Sequence, residues 1–251
     1  MREQRRGTNF LKSLACSVPH RSPRHVEPFG VYPIRERGVH LARLEDWSIL
    51  LIGGVSGTGK TNAAVQIADQ AGCPWLQVDD LRLALQWSNV TLPQGTDDLY
   101  FFLKTPNVWH LPPERLCQAL IAVGEVMAPA LEVVVESHIA TQLPILLEGD
   151  GILPSLFARE ALQKHMSAGR VRGAFLIESD EETLFDNMLK RDRGIVDMTD
   201  AELRTEAHAK WLYGRWLIDE AQRYGLPIIE SRPWSTLPRR ILKAVHQWKP
   251  Q

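Results

Sequence analysis

A chain of 251 residues and 28.4 kDa can bury roughly 70–75% of its unfolded surface, so it needs no disulfide or metal staple to fold. Its formal net charge of -1 gives no sign of a nucleic-acid partner or a membrane surface for the chain as a whole. Cys16, Cys73 and Cys117 are odd in number, far apart and outside any C-x-x-C pair, which argues against a disulfide framework or zinc site and for a reducing cytoplasm.

Residues 1–25 carry Arg2, Arg5, Arg6, Lys12, Arg21 and Arg24 against Glu3, with no long apolar run and no clear period. They read as a basic, disordered tail, although an Arg-rich, acid-poor leader also suits a transit peptide or a nucleic-acid arm. Pro28, Gly30, Pro33 and Gly38 punctuate residues 26–47 as irregular chain. Nowhere in the chain does an unbroken apolar run reach the ~18 residues of a membrane-crossing helix.

Residues 49–71 organise the rest. Ile49 to Gly53 is a short apolar strand, Gly54, Gly57 and Gly59 make a turn, and Ala64, Ile67, Ala68 and Ala71 repeat at helical spacing until Gly72 and Pro74 stop the helix. Gly54 to Thr61 fits G-x-x-x-x-G-K-[ST], the phosphate-binding loop, in the strand-loop-helix context it requires. The chemistry follows from the spacing. Main-chain N–H groups at Ser56, Gly57, Thr58 and Gly59 line a concavity at a helix N-terminus, where the helix dipole also favours an anion. Lys60 brings a mobile charge to the β and γ phosphates of ATP, and the Thr61 hydroxyl is placed for a Mg²⁺ bridging them.

A second strand is predicted over 75–78, followed by Asp79-Asp80-Leu81-Arg82 and a helix to Trp87. Ligands of an open parallel sheet bind beyond the carboxyl ends of its strands. Asp79 and Asp80 are therefore candidates to orient or deprotonate an acceptor hydroxyl, with Arg82 beside them. Asp80 equally suits a cap on a helix beginning at Leu81. Residues 88–113 are polar and aromatic without a long period and read as an insertion over the acceptor. Pro113 suits the first turn of the next helix, which Pro129 is expected to restart.

Two stretches, 131–136 and 145–148, compete as the third strand, and too little chain separates them for both to be parallel neighbours. Pro144 before and Gly149 and Gly151 after select 145–148. Glu148 then faces the phosphate loop as a candidate Mg²⁺ ligand, and Glu148 and Asp150 as candidates for acceptor contact. A fourth strand is predicted over 173–178, with Ser179 and Glu182 as a capping box for the following helix. That helix ends in Lys190, Arg191, Asp192, Arg193 and Gly194, a lid over about 190–199 whose Arg191 and Arg193 are candidates to spread transition-state charge. Thr199 and Glu202 form a second capping box. The helix they open puts Arg204, His208, Trp211 and Arg215 on one side, lining the acceptor or simply packing. A fifth strand over 226–230, a loop in which Arg232 borders the adenine, and a closing helix over 237–248 complete the chain.

The predicted fold is α/β: three layers, a mostly parallel five-stranded sheet, a kinase domain over 48–251 and helical acceptor and lid insertions. This order of motifs resembles the P-loop small-molecule kinases, and GGVSGTGKT, VDDLRLAL, LLEGDGILP and LPIIES look most like the 2-phosphoglycerate kinase family. The resemblance implies that Lys60 and Thr61 hold MgATP, that Asp79 or Asp80 meets the acceptor, and that Arg191 and Arg193 belong to the lid. The chain departs from archaeal members in having only a short basic segment before the kinase core.

The leading expectation is transfer of the γ-phosphoryl of ATP to a hydroxyl of a small anionic metabolite by a monomer or homodimer, with neither nucleic acid nor membrane as partner. A nucleotide-sugar, nucleoside or antibiotic kinase is the alternative within the class. An ATP-driven switch or assembly ATPase without an acceptor is the alternative outside it.

Overall fold

The computed structural model describes residues 47–190 and 198–250. The basic tail, most of the irregular segment that follows it, Cys16, Arg191 and Arg193 lie outside the described residues. In chain order the regular elements are β1 (Ile49–Gly54), α1 (Lys60–Ala71), β2 (Trp75–Gln77), α2 (Val78–Trp87), α3 (Thr96–Lys104) and α4 (Pro113–Thr141). They are followed by β3 (Ile145–Glu148), α5 (Glu160–Ser167), β4 (Val171–Ile177), α6 (Glu181–Lys190), α7 (Asp200–Arg223), β5 (Ile228–Glu230) and α8 (Leu237–Gln247).

The five strands form one sheet in the order β2-β3-β1-β4-β5, with every pairing parallel. β1 is central and wholly buried, which is why it reads as an unbroken apolar run rather than an alternating one. Its side chains still divide by parity. Ile49 and Leu51 join Leu147, Phe175, Met127, Leu131, Tyr213 and Leu217 in the layer under α4 and α7. Leu50 and Ile52 join Leu146, Leu176, Ala64, Ile67, Ile241 and Val245 under α1 and α8. The three layers follow from that division.

Because β1 pairs with β3 on one side and β4 on the other, with Ile52 opposite both Glu148 and Ala174, its carboxyl end opens at the point where the strand order diverges. The end of β3 lies there too, and it brings Glu148 beside the loop that leaves β1. Gly54 closes β1 at φ 135°, and a Cβ there would sit 2.2 Å from the Leu176 carbonyl oxygen across the β1–β4 ladder. Gly54→Ala is therefore expected to cost about 3 kcal/mol or more, because both the backbone conformation and the strand spacing resist it. A urea melt checks this.

Several elements differ from the sequence expectations. α2 begins at Val78, so β2 is one residue shorter than predicted, and Asp79 and Asp80 sit in the helix's first turn without a side-chain capping bond. Asp80 does not cap a helix beginning at Leu81. Acidic side chains in a first turn instead favour the helix through its dipole. Residues 88–113 are not irregular throughout: they hold α3 and a 3₁₀ turn at Val108–His110. α4 runs through Pro129 instead of restarting. By length and composition α4 is also apolar enough to cross a membrane, the one such helix among the described residues, although Glu125, Glu132 and Glu136 interrupt its apolar sequence. Here Leu116, Met127, Leu131 and Val135 are fully buried in the core. Finally, α6 is capped by Asp180, not Ser179: the Thr183 amide donates to the Asp180 carboxylate at 2.7 Å, while Ser179 Oγ donates to Glu230 at 2.6 Å. The Thr199–Glu202 capping box is present on α7.

Candidate phosphate-binding site

The loop between β1 and α1 is shaped by its own side chains. Thr58, fully buried, donates its hydroxyl to the Val55 carbonyl at 2.8 Å and so offers only main chain to a ligand. Gly59 immediately precedes α1 at φ 82°, and a Cβ there would lie 3.3 Å from the Trp234 indole. Glycine therefore supplies both the left-handed turn and room for the ring.

Lys60 donates to the Val55 carbonyl at 2.7 Å and to Asp150 Oδ1 at 2.7 Å, and Ser56 Oγ donates to Asp150 Oδ2 at 2.6 Å. Thr61 Oγ1 donates to Glu148 Oε1 at 2.9 Å. Five residues of two segments some ninety positions apart, Ser56, Lys60 and Thr61 with Glu148 and Asp150, thus meet as one cluster. Asp150 is placed against the phosphate-loop lysine rather than at a distance suited to acceptor alone.

The two acids differ in charge state. Burial acts to raise the Asp150 pKa, but the Lys60 and Lys210 charges and the hydrogen bonds from Lys60 and Ser56 outweigh it and hold the carboxyl well below the usual carboxylate range. Burial dominates at Glu148 and pushes its pKa up; Lys60 and the Thr61 bond only partly offset this, and the Asp150 and Asp79 charges add to it. One carboxylate is firmly ionised beside the cation. The other, 3% exposed, gains from any further cation that approaches it.

Asp79 pairs with Arg82 at 3.0 Å, and its charge is felt at both Glu148 and Tyr213. Asp80, the next residue, is exposed. Arg232 donates to Asn187 Oδ1 at 2.7 Å and lies over the Trp234 ring at 4.6 Å, on the side of the loop that faces Gly57 and Gly59. The segment that carries it is clamped by a residue the sequence reading did not select. Arg240 donates to the carbonyls of Glu230 at 2.6 Å, Ser231 at 3.1 Å and Pro233 at 3.0 Å. Arg240→Ala is expected to weaken ATP binding about three- to tenfold while leaving kcat within twofold, since each lost charged hydrogen bond loosens the loop and not the reacting groups. Titration with a fluorescent ATP analogue measures it.

Of the two roles the sequence left open for the Arg204, His208, Trp211 and Arg215 side of α7, acceptor lining or packing, the structure shows packing. Arg204 contacts Glu182 and the Phe185 ring, His208 contacts Glu181 at 2.8 Å, and Trp211 Nε1 donates to the Ser179 carbonyl at 3.1 Å, so this stripe packs against α6. Arg215 stacks on Trp211. The neighbouring stripe faces inward instead: Tyr213 is 1% exposed and donates its hydroxyl to the Asp150 carbonyl at 2.5 Å. Apolar periodicity at Leu203, Ala207, Gly214, Leu217 and Ala221 was the available signal for that face.

No protein-family profile matches the chain. In an alignment of 209 positions that covers 78% of this chain, 25% are identical to 2-phosphoglycerate kinase of Methanothermobacter thermautotrophicus; the match spans 65% of that relative's length. Among solved structures, a gluconokinase from Sinorhizobium meliloti 1021 aligns over 81% of this chain and 94% of its own, at 17% identity and a TM-score of 0.43. A shikimate kinase from Acinetobacter baumannii aligns over 79% and 93%, at 14% identity and a TM-score of 0.40. The chain resembles the P-loop small-molecule kinases and, among them, 2-phosphoglycerate kinase.

Proposed function

We propose that this chain is an ATP-dependent kinase that transfers the γ-phosphoryl group to a hydroxyl of a small anionic metabolite, its catalytic domain spanning residues 48–251. The observation that carries the reading is the cluster in which Ser56, Lys60 and Thr61 of the phosphate loop meet Glu148 and Asp150 from the end of β3. The likeness to 2-phosphoglycerate kinase supports it and makes 2-phosphoglycerate the first acceptor to try. Nucleosides, sugars and antibiotics are the further candidates.

The residues present fit a triphosphate and a magnesium ion. Main-chain amides from Ser56 to Thr61 at the start of α1 suit the phosphates. Thr61 Oγ1 and the buried Glu148 carboxylate are adjacent hard oxygen donors of the kind Mg²⁺ takes, often with water between metal and acid. When bound, the ion would neutralise charge that develops on the β and γ oxygens.

In this reading Lys60 turns from the Val55 carbonyl to the phosphates and spreads their charge, while Asp150, held by Ser56, stays beside the lysine and keeps it aimed. Asp79, oriented by Arg82, accepts or directs the acceptor hydroxyl, and Asp80 at the mouth is the second acid available for this. Arg191 and Arg193 supply guanidinium groups to the γ-phosphoryl from the lid. Arg232 and Trp234 border the adenine. Little covalent work is asked of these groups: positioning and charge stabilisation carry most phosphoryl transfers.

The test is incubation with MgATP and a panel of hydroxyl compounds, read by the mass of each product. Gain of one phosphoryl group by a panel member supports the reading. ATP hydrolysis that no acceptor accelerates, with affinity for a protein partner changing on nucleotide binding, favours an ATP-driven switch instead.

A further inference from the structure

Charged residues are scarce on the inward face of α7. Leu203, Ala207, Tyr213, Gly214, Leu217 and Ala221 on that face are buried, yet Glu206 and Lys210 lie among them at the same spacing. Lys210 donates to Glu206 at 2.6 Å, with side chains only 15% and 16% exposed. Surface i, i+4 pairs of this type contribute little and are normally well exposed. Desolvating this one costs free energy that a solvated stripe of the same helix would avoid.

Its place explains the cost. Lys210 is three residues before Tyr213, whose hydroxyl is fixed on the Asp150 backbone, so the ammonium group lies on the side of α7 turned toward the phosphate-loop cluster. Its charge helps keep Asp150 ionised. Lys60 belongs to the nucleotide in the reading above, and Arg82 is held by Asp79. Among the described residues Lys210 is then a cation placed for a second anion at the same crevice, with Glu206 as its counter-ion.

Resting on the kinase reading, we infer that Lys210 binds an anionic group, phosphate or carboxylate, of the acceptor, and that Glu206 is the carboxylate that group displaces. A lysine with a resting carboxylate partner selects for a ligand more strongly acceptor than that partner, and penalises neutral alcohols, which leave the pair intact. Lys210 is in this account a specificity residue for the acceptor, distinct from the groups that hold ATP.

The experiment loads the full chain with Mg²⁺ and a non-hydrolysable ATP analogue, then titrates 2-phosphoglycerate and, separately, glycerol by calorimetry. Lys210→Met is expected to weaken 2-phosphoglycerate binding by about 10- to 100-fold, the loss that one charged hydrogen bond represents. Lys210→Arg should retain most of the affinity, and Glu206→Gln should equal or exceed the wild type because no counter-ion competes. Affinity for the nucleotide analogue should stay within twofold in every variant. The inference is overturned if the wild type does not bind 2-phosphoglycerate, if Lys210→Met binds it as the wild type does, or if Glu206→Gln only lowers Tm. Failure of the kinase reading looks different: no member of the hydroxyl panel would gain a phosphoryl group from MgATP, whether or not the nucleotide analogue binds.

Discussion

Lys60→Ala should lower phosphotransfer by about 10²- to 10³-fold, the scale seen when one preorganised group that meets transition-state charge is removed. The same change has a second, separable consequence. Lys60 and Asp150 form an ion pair with side chains 6% and 19% exposed, and removing one partner of a buried pair leaves the other charge uncompensated. A stability loss of up to about 3–5 kcal/mol at neutral pH is expected, reduced to the extent that Asp150 takes up a proton. The sign of its pH dependence follows from Asp150. Its folded pKa is depressed, so the pair's contribution is present above the unfolded value of about 4 and is lost as pH falls toward the folded value. The gap between wild type and variant should therefore narrow in acid. Lys60→Ala combined with Asp150→Asn should recover much of the stability and none of the turnover. Urea melts at several pH values, beside steady-state rates, separate the two effects.

Glu148→Gln should instead raise stability while weakening metal-assisted activity. Burial raises the Glu148 pKa, so the ionised carboxylate is disfavoured in the folded chain. A raised folded pKa means that Glu148 supports the fold below its unfolded value of about 4.3 and does so less as pH rises through the folded value. Glutamine keeps an oxygen to accept from Thr61 and carries no charge to desolvate. The ligand-free variant should accordingly melt higher than the wild type at pH 7 to 8, with the difference closing in acid. Turnover with MgATP should fall by about 10- to 100-fold, as when a group that holds or orients a metal ion is removed. In the wild type, Mg²⁺-dependent ATP affinity should weaken as pH drops through the Glu148 pKa, because a proton then competes with the metal. Thermal melts with and without MgATP, over a pH series, read both sides of this prediction.

How much of this was legible in the sequence depends on the range of the forces involved. The conformation of the loop between β1 and α1 was legible, because the positive φ of Gly54, Gly57 and Gly59 and the helix after them follow from local rules. The strand at 145–148 was recoverable from punctuation by Pro144, Gly149 and Gly151. Helix starts were less secure: Asp180 and Ser179 are both good caps, and only the competing bond from Ser179 to Glu230, fifty-one residues away, decides between them. Asp79 and Asp80 were read as a strand end because Val78 suits either element, and the sheet's edge strand is only three residues long.

The sequence left two roles open for one face of α7, acceptor lining or packing, and the structure selects packing. Arg204, His208, Trp211 and Arg215 form a clear polar stripe, but a stripe does not say which neighbour it meets, and the acids of α6 claim it. Tyr213 and Lys210 face the crevice because the small residues beside them, Ala207 and Gly214, let α7 approach the sheet. Arg240 was invisible for a related reason. An arginine on a closing helix acquires a role only when three carbonyls of a turn converge on it in space.

The central claim is that the crevice at the end of β1 binds ATP and passes its γ-phosphoryl group to a hydroxyl. Its most direct test is mass spectrometry of an acceptor panel, led by 2-phosphoglycerate, after incubation with MgATP and either the wild type or Lys60→Ala. The account predicts that one acceptor gains a single phosphoryl group with the wild type and that the gain falls at least a hundredfold with the variant. An equal gain with both proteins, or ADP release with no acceptor modified, would contradict it.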